Sequence, residues 1–304
     1  MKNKVVIIGC GNVGMSYAYS LLNQKTSVNE LVLIDINKEK TMGEAMDLNH
    51  GLPFGPSKID IKSGDYSDCR DAKIIMIAAG RNQEVGETRL DLIDKNIKVF
   101  QDILGNVMKY NFNGIFIIAT NPVDIMSYIT WKITNFPKEK IIGTGTTLDS
   151  ARLRYEIGNH LQINPKNIHA YVIGEHGDTE LVPYSCATVG LANLNEYLTR
   201  EEEIYFEDRV RNMAYNIIKM KGNTSYGIGM VTTRITNAIL NDENAILTVS
   251  SYIDEEDIFI GYPTLINKNG AVKRLPVKLN DDEKTRFKKS IDTLKEVIKD
   301  IKIN

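Results

Sequence analysis

The stretch Val5-Val6-Ile7-Ile8-Gly9-Cys10-Gly11-Asn12-Val13-Gly14 decides the fold of this chain. Its first four residues are apolar and β-branched, as expected of a central parallel strand that is buried on both faces. The G-x-G-x-x-G turn that follows leads into a helical spacing of apolar residues from Met15 to Leu22. A second apolar run, residues 30–34, ends in Asp35, 21 residues after Gly14. Strand, glycine turn, helix, strand and terminal acid in this order predict a dinucleotide-binding unit.

The glycine turn predicts where the cofactor phosphates bind. The first two glycines allow a tight turn and a close approach of the pyrophosphate, and the third lets the helix lie near the strand. The helix N-terminus then faces the phosphates. The predicted cofactor residues of this turn are Gly9, Gly11, Asn12, Val13 and Gly14. Asp35 would accept hydrogen bonds from the adenosine ribose hydroxyls, and its charge would repel a 2′-phosphate. Ile36-Asn37 offers no compensating arginine, so NAD is preferred over NADP.

The first half continues as alternating strands and helices. Apolar runs at 74–78, 114–119 and 141–143 alternate with helical patterns that include 90–110 and 123–134. This alternation predicts a doubly wound parallel α/β sheet of the Rossmann type. Ligands gather at the carboxyl ends of such strands, where Ala79, Gly80 and Asn121 lie. These three residues are therefore further candidates for the cofactor site.

The character of the sequence changes after about Gly145. Helical patterns at 149–160, 200–219, 226–240 and 281–301 surround an alternating region at 245–253 and 258–266. We therefore predict an NAD-binding Rossmann domain at 1–145 and a mixed α+β substrate domain at 146–304. No linker, repeat or low-complexity tract separates the two, so the second half should pack closely on the first.

The composition argues against several classes of protein. Thirty-seven basic and 39 acidic residues leave a formal charge of -2, which favours neither a nucleic-acid-binding nor a membrane-binding surface. The cysteines, Cys10, Cys69 and Cys186, lie far apart, which argues against a disulfide framework or a zinc site and fits a reducing compartment. The N-terminus shows no signal pattern, and no apolar run approaches the ~18 residues that span a bilayer. We expect a cytoplasmic protein without a metal centre.

A histidine flanked by glycines is the candidate acid/base. Only four histidines occur in the chain, and His176 lies in Gly174-Glu175-His176-Gly177-Asp178. A histidine has an unperturbed pKa of about 6.5 and can exchange protons near neutral pH. Flanking glycines present a side chain rather than bury it, so His176 is either a turn residue or a catalyst. Asp149 and Arg152 lie three apart on one predicted helix face and form either an ordinary ion pair or part of a site. In the second case Asp149 orients His176, and Arg152 grips a carboxylate.

A polar loop at 79–89 connects a predicted strand to a predicted helix. Its two glycines, Gly80 and Gly86, lie beside the cofactor end of the sheet and predict a hinged lid. Arg89 stands at the far end of this lid, where it is either solvated or part of the site.

Taken in order, these motifs resemble those of the L-lactate/malate dehydrogenases. The resemblance covers essentially the whole chain, through residues 9–14, Asp35, 86–92, 120–123, 148–152 and 174–178. It implies a hydride transfer between NAD and a small 2-oxo acid, with His176 as acid/base and Asp149 as its partner. It also implies that Arg152 clamps the substrate carboxylate and that Arg89 polarises the carbonyl without a metal. Asn121 would contact the nicotinamide end of the site.

The substrate depends on the loop and on the pocket wall. In this family the position six before the loop arginine discriminates between substrates, and a neutral Gln83 leaves the second carboxylate of oxaloacetate unpaired. Thr224 matches the small-residue wall beside the substrate methyl group, which favours pyruvate and L-lactate. The residues Thr224-Ser225-Tyr226-Gly227 are also similar to the 2-hydroxyisocaproate dehydrogenases, which take branched 2-oxo acids. The chain departs from the lactate pattern at Arg81, Glu84-Val85 and Asn223. A branched 2-hydroxy acid dehydrogenase and a malate dehydrogenase are therefore the alternatives.

The resemblance also implies an assembly and an effector. Family members form homotetramers, and bacterial members activated by fructose 1,6-bisphosphate bind it between subunits with an arginine and a histidine. The matching positions are Arg154 and His169, which either bind such an effector or are respectively solvated and packed on Tyr171. The helix at 38–49 carries enough apolar surface either to pack on its own sheet or to form a subunit contact.

Two classes outside this reading are less well supported. An NAD-binding sensor that has lost its chemistry would have no need of the two arginines Arg89 and Arg152 together with Asp149 and His176. The NAD-dependent glycosidases resemble the fold, but they need a metal site and a considerably longer chain.

Overall fold

The computed structural model describes residues 2–81 and 89–301, except for the side chains of residues 89 and 90. Within these residues the chain forms twelve strands and eight α-helices. The strands are β1 (Lys4–Ile8), β2 (Glu30–Ile34), β3 (Asp60–Ser63), β4 (Ile74–Ile77), β5 (Ile115–Ile118), β6 (Ile141–Gly143), β7 (Ile168–His169), β8 (Thr188–Val189), β9 (Ala192–Asn193), β10 (Ala245–Ile253), β11 (Ile258–Asn267) and β12 (Gly270–Arg274). The helices are α1 (Asn12–Asn23), α2 (Lys38–Gly51), α3 (Arg89–Met108), α4 (Val123–Thr134), α5 (Thr147–Leu161), α6 (Arg200–Lys221), α7 (Tyr226–Leu240) and α8 (Asp281–Asp300).

The described residues build one large sheet and one small sheet. Six parallel strands in the order β3-β2-β1-β4-β5-β6 form the first part of the large sheet. The antiparallel strands β10, β11 and β12 extend the same sheet beyond β6. Strands β7, β8 and β9 form the small antiparallel sheet. The predicted doubly wound parallel sheet with a mixed second half is confirmed.

Strand β1 is buried along its whole length because different layers cover its two faces. Val6 and Ile8 point into a core shared with α3, α4 and α8. Val5 and Ile7 point into a second core shared with α1, α2 and α7. This burial on both faces is what the apolar, β-branched run predicts, because alternate side chains of a strand point to opposite faces. The glycine turn after Ile8 thereby lies at the carboxyl edge of the sheet.

The second half of the chain packs closely on the first, as predicted. Gly143 of β6 pairs with Ser250 of β10, which joins the two halves through the sheet. Helix α7 lies directly against α1, because a Cβ atom on Gly229 would come within 2.6 Å of the Ser16 carbonyl oxygen. The predicted boundary between residues 145 and 146 falls between β6 and α5, and the division into two domains stays a prediction.

Two features differ from or sharpen the sequence-based expectations. Strand β3 was not predicted, because only one of its four side chains, Ile61, is buried and its pattern is mostly polar. Helix α2 buries Ala45 and Leu48 against its own sheet, whereas Met42 and Met46 stay 53% and 61% exposed.

No helix in the described part of the chain is long and apolar enough to cross a membrane.

Candidate active site

The glycine turn forms a cradle at the edge of the sheet, with no room for a side chain at Gly9 or Gly14. Gly9 has a φ of +98°, and a Cβ atom there would lie 2.3 Å from the backbone nitrogen of Ala79. A Cβ atom on Gly14 would lie 2.1 Å from the carbonyl oxygen of Gly9. Nothing lies within 4 Å of the Cβ position of Gly11, which is exposed. Helix α1 begins at Asn12, so its free backbone N–H groups face the open side of this turn.

Asp35 closes the cradle from the end of β2. One of its carboxylate oxygens accepts a hydrogen bond of 2.8 Å from the backbone N–H of Cys10, and the other accepts one of 3.0 Å from that of Asn37. Lys40, which the sequence reading missed, donates from Nζ to the carbonyl oxygen of Cys10 at 2.7 Å. A carboxylate and an ammonium group therefore flank the turn in which a dinucleotide would lie. The only signal for Lys40 in the sequence was its position in the first turn of α2, five residues after Asp35.

A buried asparagine on α3 links the ends of two neighbouring strands. Asn96 is fully buried and accepts a hydrogen bond of 2.8 Å from the backbone N–H of Arg81. It also donates to the carbonyl oxygen of Asn121 at 3.1 Å. Ala79 and Gly80 thus lie next to Asn121, as predicted for residues at the carboxyl edge of one sheet. Asn96 was missed, since nothing in its local sequence marks it.

The loop that carries His176 is fixed from three sides. Gly174 has a φ of +101° and pairs with Gly261 of β11 through two backbone hydrogen bonds. The backbone N–H of His176 donates to an Asp124 carboxylate oxygen at 2.8 Å. Asp124 lies in the first turn of α4 and is almost fully buried. The imidazole is thus presented, with a quarter of its side chain exposed, as expected from the glycines around it.

His176 and Asp149 form the pair that the sequence predicted. Nδ1 of His176 lies 2.7 Å from a carboxylate oxygen of Asp149, whose side chain is 3% exposed. Ser150, the residue after Asp149, ties helix α5 to the segment before His176. Its Oγ accepts a hydrogen bond of 2.9 Å from the backbone N–H of Val172. Because Asp149 occupies Nδ1, the other ring nitrogen of His176 is the one available for proton transfer.

The charges of this pair shift both pKa values. Burial lowers the pKa of His176, but the adjacent Asp149 carboxylate outweighs burial and raises it to about 9. Burial raises the pKa of Asp149, but His176 and then Arg152 outweigh it and hold the pKa below its ordinary value. Burial raises the pKa of Asp124 to about 6. At neutral pH the site therefore holds an imidazolium against a carboxylate.

Arg152 is both an ion-pair partner and a wall of the cavity. Its Nη1 donates to Asp149 at 2.9 Å, and its Nη2 lies 3.5 Å from the hydroxyl oxygen of Thr224. These residues line a cavity of 450 Å³ together with Asn121 and His176. Asp149 and Arg152 form the ion pair that the sequence left open as one alternative, and both also line this cavity; their role in a site stays a prediction. The cavity thus brings an imidazole and a guanidinium together beside Val13 of the glycine turn.

Family models match both halves of the chain. The lactate/malate dehydrogenase NAD binding domain matches residues 3–143, and the lactate/malate dehydrogenase alpha/beta C-terminal domain matches residues 146–303. The chain belongs to the lactate/malate dehydrogenase family. Membership in this family confirms the predicted resemblance and the predicted class of enzyme, an oxidoreductase.

Relatives and solved structures resemble the chain over nearly its full length. The L-lactate dehydrogenase 2 of Bacillus cereus is 50% identical over 306 aligned residues, which cover 97% of each chain. The L-lactate dehydrogenase of Bacillus pumilus is 50% identical with the same coverage. The structure of a lactate dehydrogenase from a Medee basin deep-sea metagenome library is 45% identical, with a TM-score of 0.96 over 99% of each chain. The minor L-lactate dehydrogenase of Enterococcus mundtii in its ligands-bound form is 43% identical, with a TM-score of 0.97 over 100% of this chain and 99% of that chain.

The cofactor predicted from the glycine turn is confirmed as NAD, since the matched N-terminal domain of the lactate/malate dehydrogenases is an NAD-binding domain. The residues fit this group, because nothing in the described structure lies within 4 Å of the Cβ position of the exposed Gly11, which leaves room for a pyrophosphate to approach the backbone of the turn. Asp35 places a carboxylate beside the turn, where a ribose hydroxyl can donate to it. In this lactate/malate dehydrogenase, Gly9, Gly11, Asn12, Val13 and Gly14 would hold the cofactor phosphates.

Some of the predicted residues lie away from the active-site cavity, and others lie outside the described part of the chain. Arg154 donates from Nε to the carbonyl oxygen of Ala170 at 2.9 Å, and its guanidinium lies 4.6 Å from the ring centre of Tyr171. His169 is exposed in β7, adjacent to Ala170 in sequence. Arg154 is therefore not simply solvated. Gln83 and the side chain of Arg89 lie outside the described residues, as do Glu84, Val85 and most of the predicted lid.

Asp149, His176 and Glu180 offer ligand atoms that all lie within 4.8 Å of one another. Asp149 already accepts hydrogen bonds from both His176 and Arg152. This arrangement is therefore that of an ion-pair network, and the expected lack of a metal centre stays a prediction. The buried carboxyl group of Glu180 was missed by the sequence reading, as was Arg211 on α6.

Proposed function

We propose that the protein is an NAD-dependent L-lactate dehydrogenase that interconverts pyruvate and L-lactate. The observation that carries the proposal is the contact of 2.7 Å between His176 and the buried Asp149, with Arg152 in the same cavity. A protonated imidazole beside a bound guanidinium suits a small anion that carries a carbonyl group next to its carboxylate. The L-lactate dehydrogenases among the relatives support the same activity.

The residues divide the work of the reaction among them. Arg152 holds the substrate carboxylate with its remaining N–H groups, which fixes the orientation of the carbonyl. NADH held at the glycine turn would supply the hydride that the carbonyl carbon accepts. His176 gives its proton to the carbonyl oxygen, and Asp149 keeps the imidazole in one orientation and stabilises its charged form. Arg89 would stabilise the developing negative charge on that oxygen, which is the role that the family resemblance gives it.

Turnover of three 2-oxo acids tests the substrate. We expect NADH oxidation to be fastest with pyruvate, slower with 2-oxoisocaproate and slowest with oxaloacetate. Thr224 near Arg152 and the neutral Gln83 support this order. A preference for 2-oxoisocaproate would favour a branched 2-hydroxy acid dehydrogenase, to which the departure at Asn223 would contribute. A preference for oxaloacetate would favour a malate dehydrogenase, and no turnover with any acid would favour a sensor.

A homotetramer is part of the proposal. Helices α1, α2 and α7 leave large apolar side chains exposed, namely Tyr19, Met42, Met46, Tyr226 and Met230. Apolar exposure on neighbouring elements is typical of a subunit contact. Light scattering after size-exclusion chromatography should give four chains, and Met46→Glu should reduce that number. Ile204→Glu on α6, at an exposed apolar position outside these helices, is the matched control.

Activation by fructose 1,6-bisphosphate is also part of the proposal. Arg154 donates to the carbonyl oxygen of Ala170 and lies over the ring of Tyr171, and the exposed His169 is the residue before Ala170. Cations that repel across a subunit contact would be neutralised by a bisphosphate, which would favour one quaternary state. Adding the sugar bisphosphate at subsaturating pyruvate should raise the rate. An unchanged KM and unchanged cooperativity would remove the effector from the proposal.

A cytoplasmic location is also part of the proposal. The three free cysteines, Cys10, Cys69 and Cys186, support it, because a reducing compartment keeps thiols unpaired.

A further inference from the structure

Glu180 is a buried acid that faces the active-site cavity. The residue is 4% exposed and lines the cavity that contains His176 and Arg152. Its carboxyl group makes no hydrogen bond with any residue in the described ranges 2–81 and 89–301, whereas its backbone N–H donates to Gly177 at 3.3 Å. The next residue, Leu181, pairs with Ile173 through two backbone hydrogen bonds. The carboxyl group is therefore held beside the histidine loop by the backbone.

Several charged or titratable groups lie near this carboxyl group. Its oxygen lies within 4.8 Å of ligand atoms of both His176 and Asp149. Across the cavity, Arg211 of α6 donates from Nη2 to the backbone carbonyl oxygen of Glu180 at 3.4 Å. The Nε atom of Arg211 is buried without a hydrogen-bond partner among the described residues.

The groups that face the imidazole of His176 come from four elements. Helix α5 contributes Asp149 and Arg152, helix α4 contributes Asp124, helix α6 contributes Arg211, and the histidine loop itself contributes Asp178 and Glu180. The buried Glu175 accepts a hydrogen bond from Thr179 and does not line the cavity. Asp178 is exposed and is therefore screened by solvent. Asp124 contacts the backbone of His176 rather than its ring. Glu180 is thus the second buried carboxyl group, after Asp149, close to the ring.

We propose that Glu180 is a positioning residue that acts through His176, by placing a second carboxylate beside the imidazolium that Asp149 already holds. Arg211, whose guanidinium also pairs with Glu207 and Asp208, favours the ionised form of this carboxyl group. The proposal rests on the proposed function only in taking His176 as the acid/base. It explains why a carboxyl group that has no hydrogen-bond partner in the described part of the chain lies where its burial is costly.

The electrostatics of the cluster agree with this geometry. Burial raises the pKa of Glu180 well above its ordinary value, Asp149 raises it further, and His176, Arg211 and Arg152 act in the opposite direction. In return, the negative charge of Glu180 raises the pKa of His176. The protons on the two groups are therefore coupled, as expected for titratable groups at this separation.

An NMR titration of the His176 ring in the full-length protein without substrate tests the proposal. Glu180→Gln should lower the pKa of His176 by about one unit or more, the size expected from losing an opposite charge within ~4–6 Å. Glu180→Asp should restore part of the loss. Asp178→Asn is the matched control, because it removes an exposed carboxylate from the same loop and should shift the pKa far less. An unmoved titration in Glu180→Gln, or an equal shift in Asp178→Asn, would overturn the proposal.

Pyruvate reduction adds a readout that separates this proposal from the proposed function. In Glu180→Gln the high-pH limb of kcat should move to lower pH by the same amount as the NMR titration. The KM for pyruvate at low pH should change little, because Arg152 still binds the carboxylate. If the wild-type protein does not turn over pyruvate, the proposed function fails while the NMR titration still decides the role of Glu180. Normal turnover of pyruvate together with an unchanged pKa of His176 in Glu180→Gln would contradict the role of Glu180 alone.

The wild-type protein provides a second measurement if Glu180→Gln does not fold. The side-chain carboxyl carbon of Glu180 can be followed by ¹³C NMR across the same pH range. We expect it to titrate above the ordinary range of a glutamate and to show a second step where His176 titrates. A single step at the ordinary glutamate pKa, without any response to His176, would contradict the proposal.

Discussion

Asp149→Asn should move the pH dependence of pyruvate reduction more than any other single change in the described site. Asp149 accepts the 2.7 Å contact with Nδ1 of His176 and is the largest cause that raises the pKa of His176 from 6.5 to about 9. This difference of about 2.5 units corresponds to an interaction on the order of 3 kcal/mol. With the carboxylate gone, burial lowers the pKa of His176, and Glu180 and Asp124 still raise it, so the pKa should fall towards its ordinary value.

The size of the effect follows from the protonated fraction of His176. At pH 8 a group with a pKa near 9 is about 90% protonated, whereas one with a pKa near 6.5 is only about 3% protonated. The rate of pyruvate reduction at that pH should therefore fall roughly 30-fold from protonation alone. Loss of the ring orientation should lower kcat further, whereas KM should change less, because Arg152 keeps its N–H groups. Initial rates of NADH oxidation across the pH range measure both quantities.

A matched control lies on the same helix. Glu156 of α5 forms an ion pair of 2.6 Å with Arg209, so Glu156→Gln also removes a carboxylate from an arginine partner. It should leave the high-pH limb where it is in the wild-type protein. If Asp149→Asn keeps its high-pH limb near pH 9, or if Glu156→Gln moves that limb equally, Asp149 is not the group that holds the proton on His176.

Three further substitutions test other parts of the site. His176→Ala should lower kcat at least ~100-fold, whereas the affinity for NADH, measured by NADH fluorescence, should stay nearly unchanged. Substantial remaining turnover would mean that another group donates the proton. Gln83→Arg should shift preference from pyruvate towards oxaloacetate, and an equal loss of rate with both acids would make Gln83 structural. Gly14→Ala should weaken NADH binding and destabilise the fold by ~1–3 kcal/mol, since its Cβ atom would lie 2.1 Å from the carbonyl oxygen of Gly9. Gly43→Ala on α2, where nothing lies within 4 Å of the Cβ position, is the control in thermal unfolding, and an equal loss there would remove the steric explanation.

The parts of the fold that the sequence predicts are those set by local pattern. The order of β1, glycine turn, α1 and β2 follows from a buried apolar strand and a turn that only glycine accepts. The bounds of α4 and α7 agree with the predicted ranges because apolar faces and flanking residues mark both ends. Strand β3 escaped prediction, because an edge strand with one buried side chain, Ile61, has no distinct pattern.

The parts that escaped prediction depend on contacts between distant stretches. Asn96 is notable only because Arg81 and Asn121 meet on either side of it. Glu180 lies in a stretch whose sequence would suit a solvated turn, and its burial requires α6 to cover it. The pairing of β10 with β6 likewise joins residues about a hundred positions apart. Periodicity and motif spacing carry no information about such contacts.

The balance of charges in the cavity indicates how protonation selects the direction of reaction. Asp149 offsets Arg152, and Glu207 and Asp208 offset Arg211, so the charges that change with pH are those of His176 and of Glu180, whose pKa burial raises. When the imidazole is protonated, the cavity has an excess positive charge and a proton to give, which suits an anionic 2-oxo acid. When it is neutral, the ring can accept the hydroxyl proton of a 2-hydroxy acid. Because the pKa of His176 is raised to about 9, the reductive form should predominate at neutral pH, and oxidation should accelerate as the pH rises towards 9.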